Sequence, residues 1–287
     1  MAQQQSTKVA CVSGANGFIG KHLASRLREC GYTVYPIPRD YLSNPALLWD
    51  FFIEKQPELI VHLAAYGNHS TQNEDMRIFD VNVVGTFNML EASKDIPYKA
   101  FINVSTSAVQ LPITSLYSAS KHAGEDLAKA FAQKYKKNIT NVRPFSVYGP
   151  GEADNRLIPT ICRCLVSGEE MSLAPDPTHD WIYIDDFTRY TSLLAERAYY
   201  FKGQTINIGT EDSYSNFQIV LWLEEISKKQ LKRDIKYPQR EYDDRQWVSD
   251  STKLFTAFGK PYFTLGEGLQ RCYDYYKQRY QAQDTRN

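Results

Sequence analysis

Val12-Ser-Gly14-Ala-Asn-Gly17-Phe-Ile-Gly20 is the stretch whose reading decides the fold. An apolar run, Val9 to Val12, precedes it. Lys21-His-Leu-Ala-Ser-Arg-Leu follows, with apolar residues at helical spacing. A glycine pattern set between strand and helix carries a meaning that three glycines alone do not. Gly14 permits the tight turn, Gly17 lets backbone approach a pyrophosphate, and Gly20 lets the helix pack on the strand. The helix N-terminus then offers N–H donors and the positive end of its dipole to phosphates. The spacing is GxxGxxG, and the turn predicts a dinucleotide site that also includes Asn16, Phe18 and Ile19.

Outward from this turn, 287 residues can bury a large core as one α/β domain or two small ones. Lys plus Arg equals Asp plus Glu at 33 each, so no overall field favours nucleic acid or an anionic membrane. The five cysteines are scattered without CxxC or metal spacing, which predicts a reduced, cytoplasmic setting and no metal. The first residues lack an apolar signal core, and no segment is long enough to span a bilayer.

Along the chain, Tyr32 to Ile37 reads as a second strand ending in Pro38-Arg39-Asp40. An acidic residue at that end would bind the ribose hydroxyls of NAD, and a basic one the 2′-phosphate of NADP. Arg39 therefore favours NADP, with NAD as the alternative; a solvated arginine, or one paired with Asp40, is the plainer reading. Ser43-Asn44-Pro45 starts a helix that stops before Pro57. Glu58 to Ala65 is a buried strand whose small final residues would let a nicotinamide or ribose lie against Leu63, Ala64 and Ala65. A helix with apolar residues on more than one face runs from Ile78 to Ser93. The next strand, Lys99 to Val104, ends in Ser105-Thr106-Ser107, at the edge of the sheet where ligands bind in doubly wound folds.

Eleven positions beyond Thr106 comes Tyr117-Ser-Ala-Ser-Lys121, leading into a helix from about His122 to Lys136. Tyr117 and Lys121 stand four apart on one helical face. A chain with 20 tyrosines is expected to hold about one YxxxK by chance. There are two, and the second, Tyr273 to Lys277, reads as a surface pair with no partner nearby.

The order of elements now resembles the extended short-chain dehydrogenase/reductases, in their NAD(P)-dependent nucleotide-sugar epimerase, dehydratase and reductase branch. The resemblance rests on Gly14 to Gly20, His62-Leu-Ala-Ala65, Asn82-Val-Val-Gly-Thr, Ser105-Thr106, Tyr117 with Lys121, Arg143-Pro-Phe-Ser-Val-Tyr-Gly149 and Trp181 to Asp186. It implies a doubly wound parallel sheet (a Rossmann fold), with a cofactor-binding domain at 1–149 and 181–210. Residues 150–287 are then mainly a smaller substrate-binding region. It places Asn82, Tyr117, Lys121, Pro144 and Val147 near the cofactor, and Ser107, Ser146, Arg156, Leu157, Ile158 and Arg240 near a sugar nucleotide. It further implies a homodimer paired through the Asn82 and Tyr117 helices, with Ala119, Ala123, Gly124, Ala128 and Ala130 allowing close approach.

Departures from the family are as informative. Dehydratase members carry an acidic pair directly after the catalytic Ser/Thr; Ser107-Ala108 stands here, so elimination has no evident proton donor. The family's longer excursion between Thr106 and Tyr117, which lines the sugar pocket, is trimmed. Ser146 replaces a usual asparagine, and His179 a usual arginine. The resulting expectation is a reductase of a 4-keto sugar nucleotide using Thr106, Tyr117, Lys121 and NADP(H). A sugar-nucleotide epimerase holding NAD(H) is the alternative, and a non-catalytic NADP(H)-binding regulator, which would lack the Tyr or Lys, a more distant one.

Overall fold

The computed structural model describes residues 8–69, 71–111, 115–236 and 247–284. Two compact units emerge, one spanning Met1–Pro144 with Thr188–Asn207 and the other Phe145–Phe187 with Ile208–Asn287.

In the first unit, β1 (Lys8–Ser13), β2 (Tyr32–Ile37), β3 (Leu59–His62), β4 (Ala100–Val104) and β5 (Ile139–Pro144) lie in the order β5-β4-β3-β1-β2. Their pairings are parallel, and the strand Thr205–Ile208 flanks β5 as the sixth member. The chain leaves β1 toward β2 and then returns to β3 on the other side. The switch point of this doubly wound sheet therefore falls between β1 and β3, at their carboxyl ends. Continuous burial of β3 and β4 explains their unbroken apolar runs, as expected of parallel strands covered on both faces.

The helices follow local rules. In α1 (Phe18–Glu29), Gly20, Leu23, Ala24 and Leu27 form the buried stripe. In α2 (Pro45–Lys55), the Asn44 side chain accepts from the N–H groups of Ala46 and Leu47, with proline at the first position. The predicted Ile78–Ser93 helix starts earlier and is not regular. It comprises α3 (Asp75–Phe79), a π turn (Asp80–Val84) and α4 (Gly85–Ser93). The helix α5 (Leu116–Lys134) begins at Tyr117's own doorstep rather than near His122, because the Ser115 side chain caps it by accepting from Ser118 N–H. Leu48, Phe52, Ile60, Met89, Phe101 and Ala128 are among the residues that fill the core between helices and sheet.

One register row crosses this sheet just short of its carboxyl edge: Ser13 beside His62, His62 beside Asn103, Asn103 beside Asn141. All four are buried polar residues.

The second unit is built on short strands and helices. Ser146–Tyr148 pairs in parallel with Trp181–Tyr183, and α6 (Leu157–Ser167) ends at Gly168 in the left-handed region. The Asp180 carboxylate accepts from the backbone N–H groups of Thr210, Glu211 and Ser249 and from the Thr210 hydroxyl, at 2.7–3.1 Å. The C-terminal helix Leu265–Asp284 packs on α6. That packing corrects one expectation: Tyr273 is 5% exposed, a core residue and not half of a surface pair. Among the described residues no helix is long and apolar enough to cross a membrane, and no cluster of His, Cys, Asp and Glu could hold a metal.

Candidate active site

At the switch point, Gly14 takes φ +68° and its carbonyl accepts from Gly17 N–H at 3.0 Å. A Cβ on Gly14 would stand 2.9 Å from Ala64 N, and one on Gly20 would stand 2.1 Å from the Gly14 carbonyl oxygen. Only glycine fits either place, since the first also demands a left-handed backbone. The N-terminus of α1 has no side-chain cap and no acidic residue in its first turn. Its N–H groups and dipole are thus free of a competing carboxylate, the arrangement that suits a pyrophosphate. Asn16 is exposed, and Phe18 and Ile19 are half-buried around the turn.

The floor of this turn is a chain of hydrogen bonds in which every proton can be assigned. Ser13 Oγ accepts from Leu63 N–H (3.1 Å) and Ala64 N–H (3.2 Å), so its own proton goes to His62 Nδ1 at 2.7 Å. His62 Nε2–H then donates to Thr86 Oγ1 at 3.1 Å, and the Thr86 hydroxyl donates to the Asn82 carbonyl at 2.7 Å. This fixes the Nε2–H tautomer. Burial, and secondarily the charge of Lys121, push His62 down to about 3, so the ring stays neutral. Sequence reasoning missed this role: the partners lie 49 and 24 positions away, and the one signal was a histidine inside an apolar strand.

Asn82 sits within the π turn and is 0% exposed. Its amide accepts from Tyr66 N–H and donates to the Tyr66 carbonyl and to Ser120 Oγ, which in turn donates to the Tyr117 carbonyl. Asn82 thus ties the Tyr66 backbone to Ser120 on α5. Leu63 and Ala64 are half-buried and Ala65 exposed, directly after β3.

On the far side of the switch point, Thr106 follows β4 and starts a 3₁₀ turn, Ser107–Gln110, against which α5 packs. Its hydroxyl accepts from Ala108 N–H at 3.3 Å and finds no acceptor for its own proton among the described residues. Ser107 is buried. Tyr117 is half-buried in the first turn of α5. Its ring edge lies 3.3 Å from where a Gly67 Cβ would be. Lys121, one turn on, is 3% exposed, and burial lowers it to about 8 against the opposing pull of Glu125. The register row holds α5 down: Asn103 donates to the Gly124 carbonyl and Asn141 to that of Glu125.

Arg39 stands exposed just past β2, and it forms no ion pair with Asp40 or any other described residue. Ile37 pairs with Ser13 across the β2–β1 ladder, so Arg39 leaves the sheet at the same edge as the glycine turn. Pro144 closes β5, half-buried. The remaining candidates belong to the second unit. Ser146 and Val147 are half-buried on their short strand, and Arg156 and Leu157 half-buried at the start of α6. Ile158 is 1% exposed and serves the core. Arg240 lies outside the described residues.

Residues 10–209 match the NAD dependent epimerase/dehydratase family. The chain belongs to that family. A GDP-6-deoxy-D-talose 4-dehydrogenase of Aggregatibacter actinomycetemcomitans is 32% identical over 279 residues, covering 88% of this chain and 91% of its own. A CDP-abequose synthase of Salmonella typhimurium is 25% identical, covering 90% of this chain and 95% of its own. Among solved structures, a UDP-glucuronic acid 4-epimerase from Bacillus cereus, in complex with UDP-glucuronic acid and NAD, superposes with a TM-score of 0.83. It is 27% identical and covers 95% of this chain and 100% of its own. The resemblance read from the sequence and the doubly wound fold are thereby both established, and the chain sits among the nucleotide-sugar oxidoreductases.

Proposed function

We propose that this protein is an NADP(H)-dependent oxidoreductase that reduces a 4-keto sugar nucleotide at Thr106, Tyr117 and Lys121. The observation that carries the reading is the placement of Lys121, buried and one helical turn from Tyr117 on a helix braced to the sheet. A dinucleotide would be held by Gly14, Gly17 and the α1 N-terminus, with Leu63, Ala64 and Ala65 along its nicotinamide half. Pro144 and Val147 complete the candidate cofactor contacts. Arg39, exposed and without an ion-pair partner among the described residues, supports NADP over NAD, because a guanidinium can grip a 2′-phosphate through two parallel hydrogen bonds.

When bound, the nicotinamide supplies the hydride. The protein's own residues do the rest. The Thr106 hydroxyl donates to the carbonyl oxygen of the sugar and holds it toward Tyr117. Tyr117 delivers the proton from its hydroxyl as the oxygen gains negative charge. A free tyrosine titrates near ~10; the Lys121 ammonium and the helix N-terminus both favour the phenolate and bring that transfer toward neutral pH. Lys121 would also donate to the nicotinamide ribose. Ser107 is the proposed substrate contact of the first unit, and Ser146, Arg156 and Leu157 are those of the second.

An epimerase using the same three residues with tightly held NAD(H) is the second reading, favoured by the likeness to the 4-epimerase structure. A cofactor that survives purification and no net NADPH consumption would select it. We also propose a homodimer. Met76, Phe79, Val84 and Phe87 leave apolar side chains exposed along α3, the π turn and α4, and Leu116 does so at the head of α5. Gly124 and Ala128 do not belong to that face, since they pack against the chain's own Thr86 and core.

The deciding experiment is a pair of variants on one assay. Tyr117→Phe should bind cofactor normally and lose ~10²–10⁴-fold in turnover, the contribution of a positioned acid or base. Tyr273→Phe, in the buried second YxxxK, should keep turnover. Equal activity in the two variants would end the mechanism.

A further inference from the structure

Glu125 stands one turn beyond Lys121 on α5, so that Tyr117, Lys121 and Glu125 share a helical face. It is 0% exposed. Arg143 on β5 donates to both of its oxygens, Nε to Oε1 and Nη2 to Oε2, each at 2.7 Å. Two residues earlier on β5, Asn141 donates to the Glu125 backbone carbonyl at 3.0 Å. Lys129 reaches 4.0 Å from the rim, and the Lys121 ammonium, one turn away on the same face, lies beyond that distance. A buried carboxylate is costly unless paired and hydrogen-bonded, and an ion pair alone is weak evidence of a stabilising role. Sheet and helix both immobilise this one, one helical turn from a lysine whose ammonium makes no hydrogen bond among the described residues.

We propose that Glu125, clamped by Arg143, is the counter-charge of Lys121 and a positioning residue for the Tyr117 site. The proposal rests on the reading of Thr106, Tyr117 and Lys121 given above. Burial pulls Lys121 toward the neutral amine, and Glu125 is the group that pulls it back. The other surroundings do not substitute for it. His62, from β3, is neutral. Asn82 and Thr86, from the π turn and α4, do not titrate. Tyr117, on the same helix, gains from the ammonium as a phenolate but does not supply a standing charge. The guanidinium of Arg143, from β5, is engaged by Glu125 itself. Without Glu125, much of Lys121 would be neutral at physiological pH, leaving the Tyr117 phenolate without the support of that ammonium.

The test uses the ligand-free protein and so needs no substrate. The Lys121 Cε resonance, assigned by its loss in Lys121→Arg, is followed through a pH titration by carbon-detected NMR. The midpoint should lie near 8 in the parent chain. In Glu125→Gln it should fall by about one pH unit or more, tenfold in the ammonium-to-amine ratio per unit. In Glu125→Asp, which keeps the charge, it should move by much less. Glu125→Gln leaves half-buried Arg143 without its partner, so Glu125→Gln/Arg143→Gln, with both charges gone, carries the test if the single variant does not fold. In active preparations the alkaline limb of kcat should move with the Lys121 midpoint. An unchanged midpoint in the single or double variant would overturn the proposal. Full turnover in Tyr117→Phe would instead overturn the catalytic reading, and the positioning role with it, whereas the midpoint would still report the counter-charge.

Discussion

Replacing Ser13 with alanine removes one oxygen and should be felt across the whole switch point. That oxygen accepts from Leu63 N–H and Ala64 N–H and donates to His62 Nδ1. Leu63 N–H keeps a second acceptor, the Ser13 backbone carbonyl at 3.3 Å. Two groups are therefore orphaned: Ala64 N–H, half-buried, and His62 Nδ1, in a wholly buried ring. Each unsatisfied buried group costs about 1–3 kcal/mol, so the pair costs about 2–6 kcal/mol, with the half-buried amide at the low end. At about 2–4 °C per kcal/mol for a chain of this size, melting should fall by roughly 4–24 °C. Thermal melts followed by far-UV circular dichroism measure this directly. Ser13→Thr, which keeps a hydroxyl, should lose less. Dinucleotide affinity should weaken too, because Leu63 and Ala64 no longer have a fixed floor. Ser13→Ala melting within about 2 °C of the parent chain would refute the proton accounting, since no orphaned pair costs so little.

Arg39→Ala should remove most of the preference for NADPH over NADH, read from the two dissociation constants; equal constants in the parent chain would sink the NADP reading. His62 has a folded value near 3, below its ordinary 6.5, so the unfolded chain binds the extra proton between those limits. Its contribution to stability is thus present above about 6.5 and is lost as the pH falls from 6.5 toward 3; denaturant melts of His62→Gln should show a shallower acid slope over that window. Lys121 works in the opposite range: its folded value of about 8 lies below 10.5, so stability rises between those pH values. Lys121→Met should flatten that alkaline rise in the same melts. Asp180→Asn should destabilise the second unit by about 1–3 kcal/mol, because the amide cannot accept all four bonds in the carboxylate's place. Sedimentation at micromolar concentration should give a dimer, and charge placed at Phe79 or Phe87 should dissociate it.

Much of this molecule is legible from its sequence because the relevant forces are local. The strand runs, the Asn44-Pro45 helix start and the glycine turn all follow from neighbours a few positions apart. The start of α5 was harder to read, since Ser115 caps a helix whose first turn holds the residue of interest. Tyr273 misled for a different reason. Its helix is rich in charge, and only the packing of that helix on α6 shows which face is covered. The bracing of the site is hardest to see. Ser13, His62, Asn103 and Asn141 meet because parallel strands place them in one register row, and that row crosses sequence separations of up to 49 residues between hydrogen-bonded partners.

The π turn at Asp80–Val84 carries a consequence for how the chain tolerates length changes. A π turn amounts to one residue inserted into an α-helix, and each helical residue advances the face by about 100°. Deleting a single residue there would heal the hydrogen-bond ladder and make a locally better helix. It would also swing α3 by about a quarter-turn relative to α4. Ile78, buried against the chain, and Phe79, facing outward, would trade orientations, while Asn82 would lose its aim at Tyr66 or at Ser120. The irregularity thus acts as a phase shifter, letting one helix keep two separate appointments that a uniform screw could not meet together.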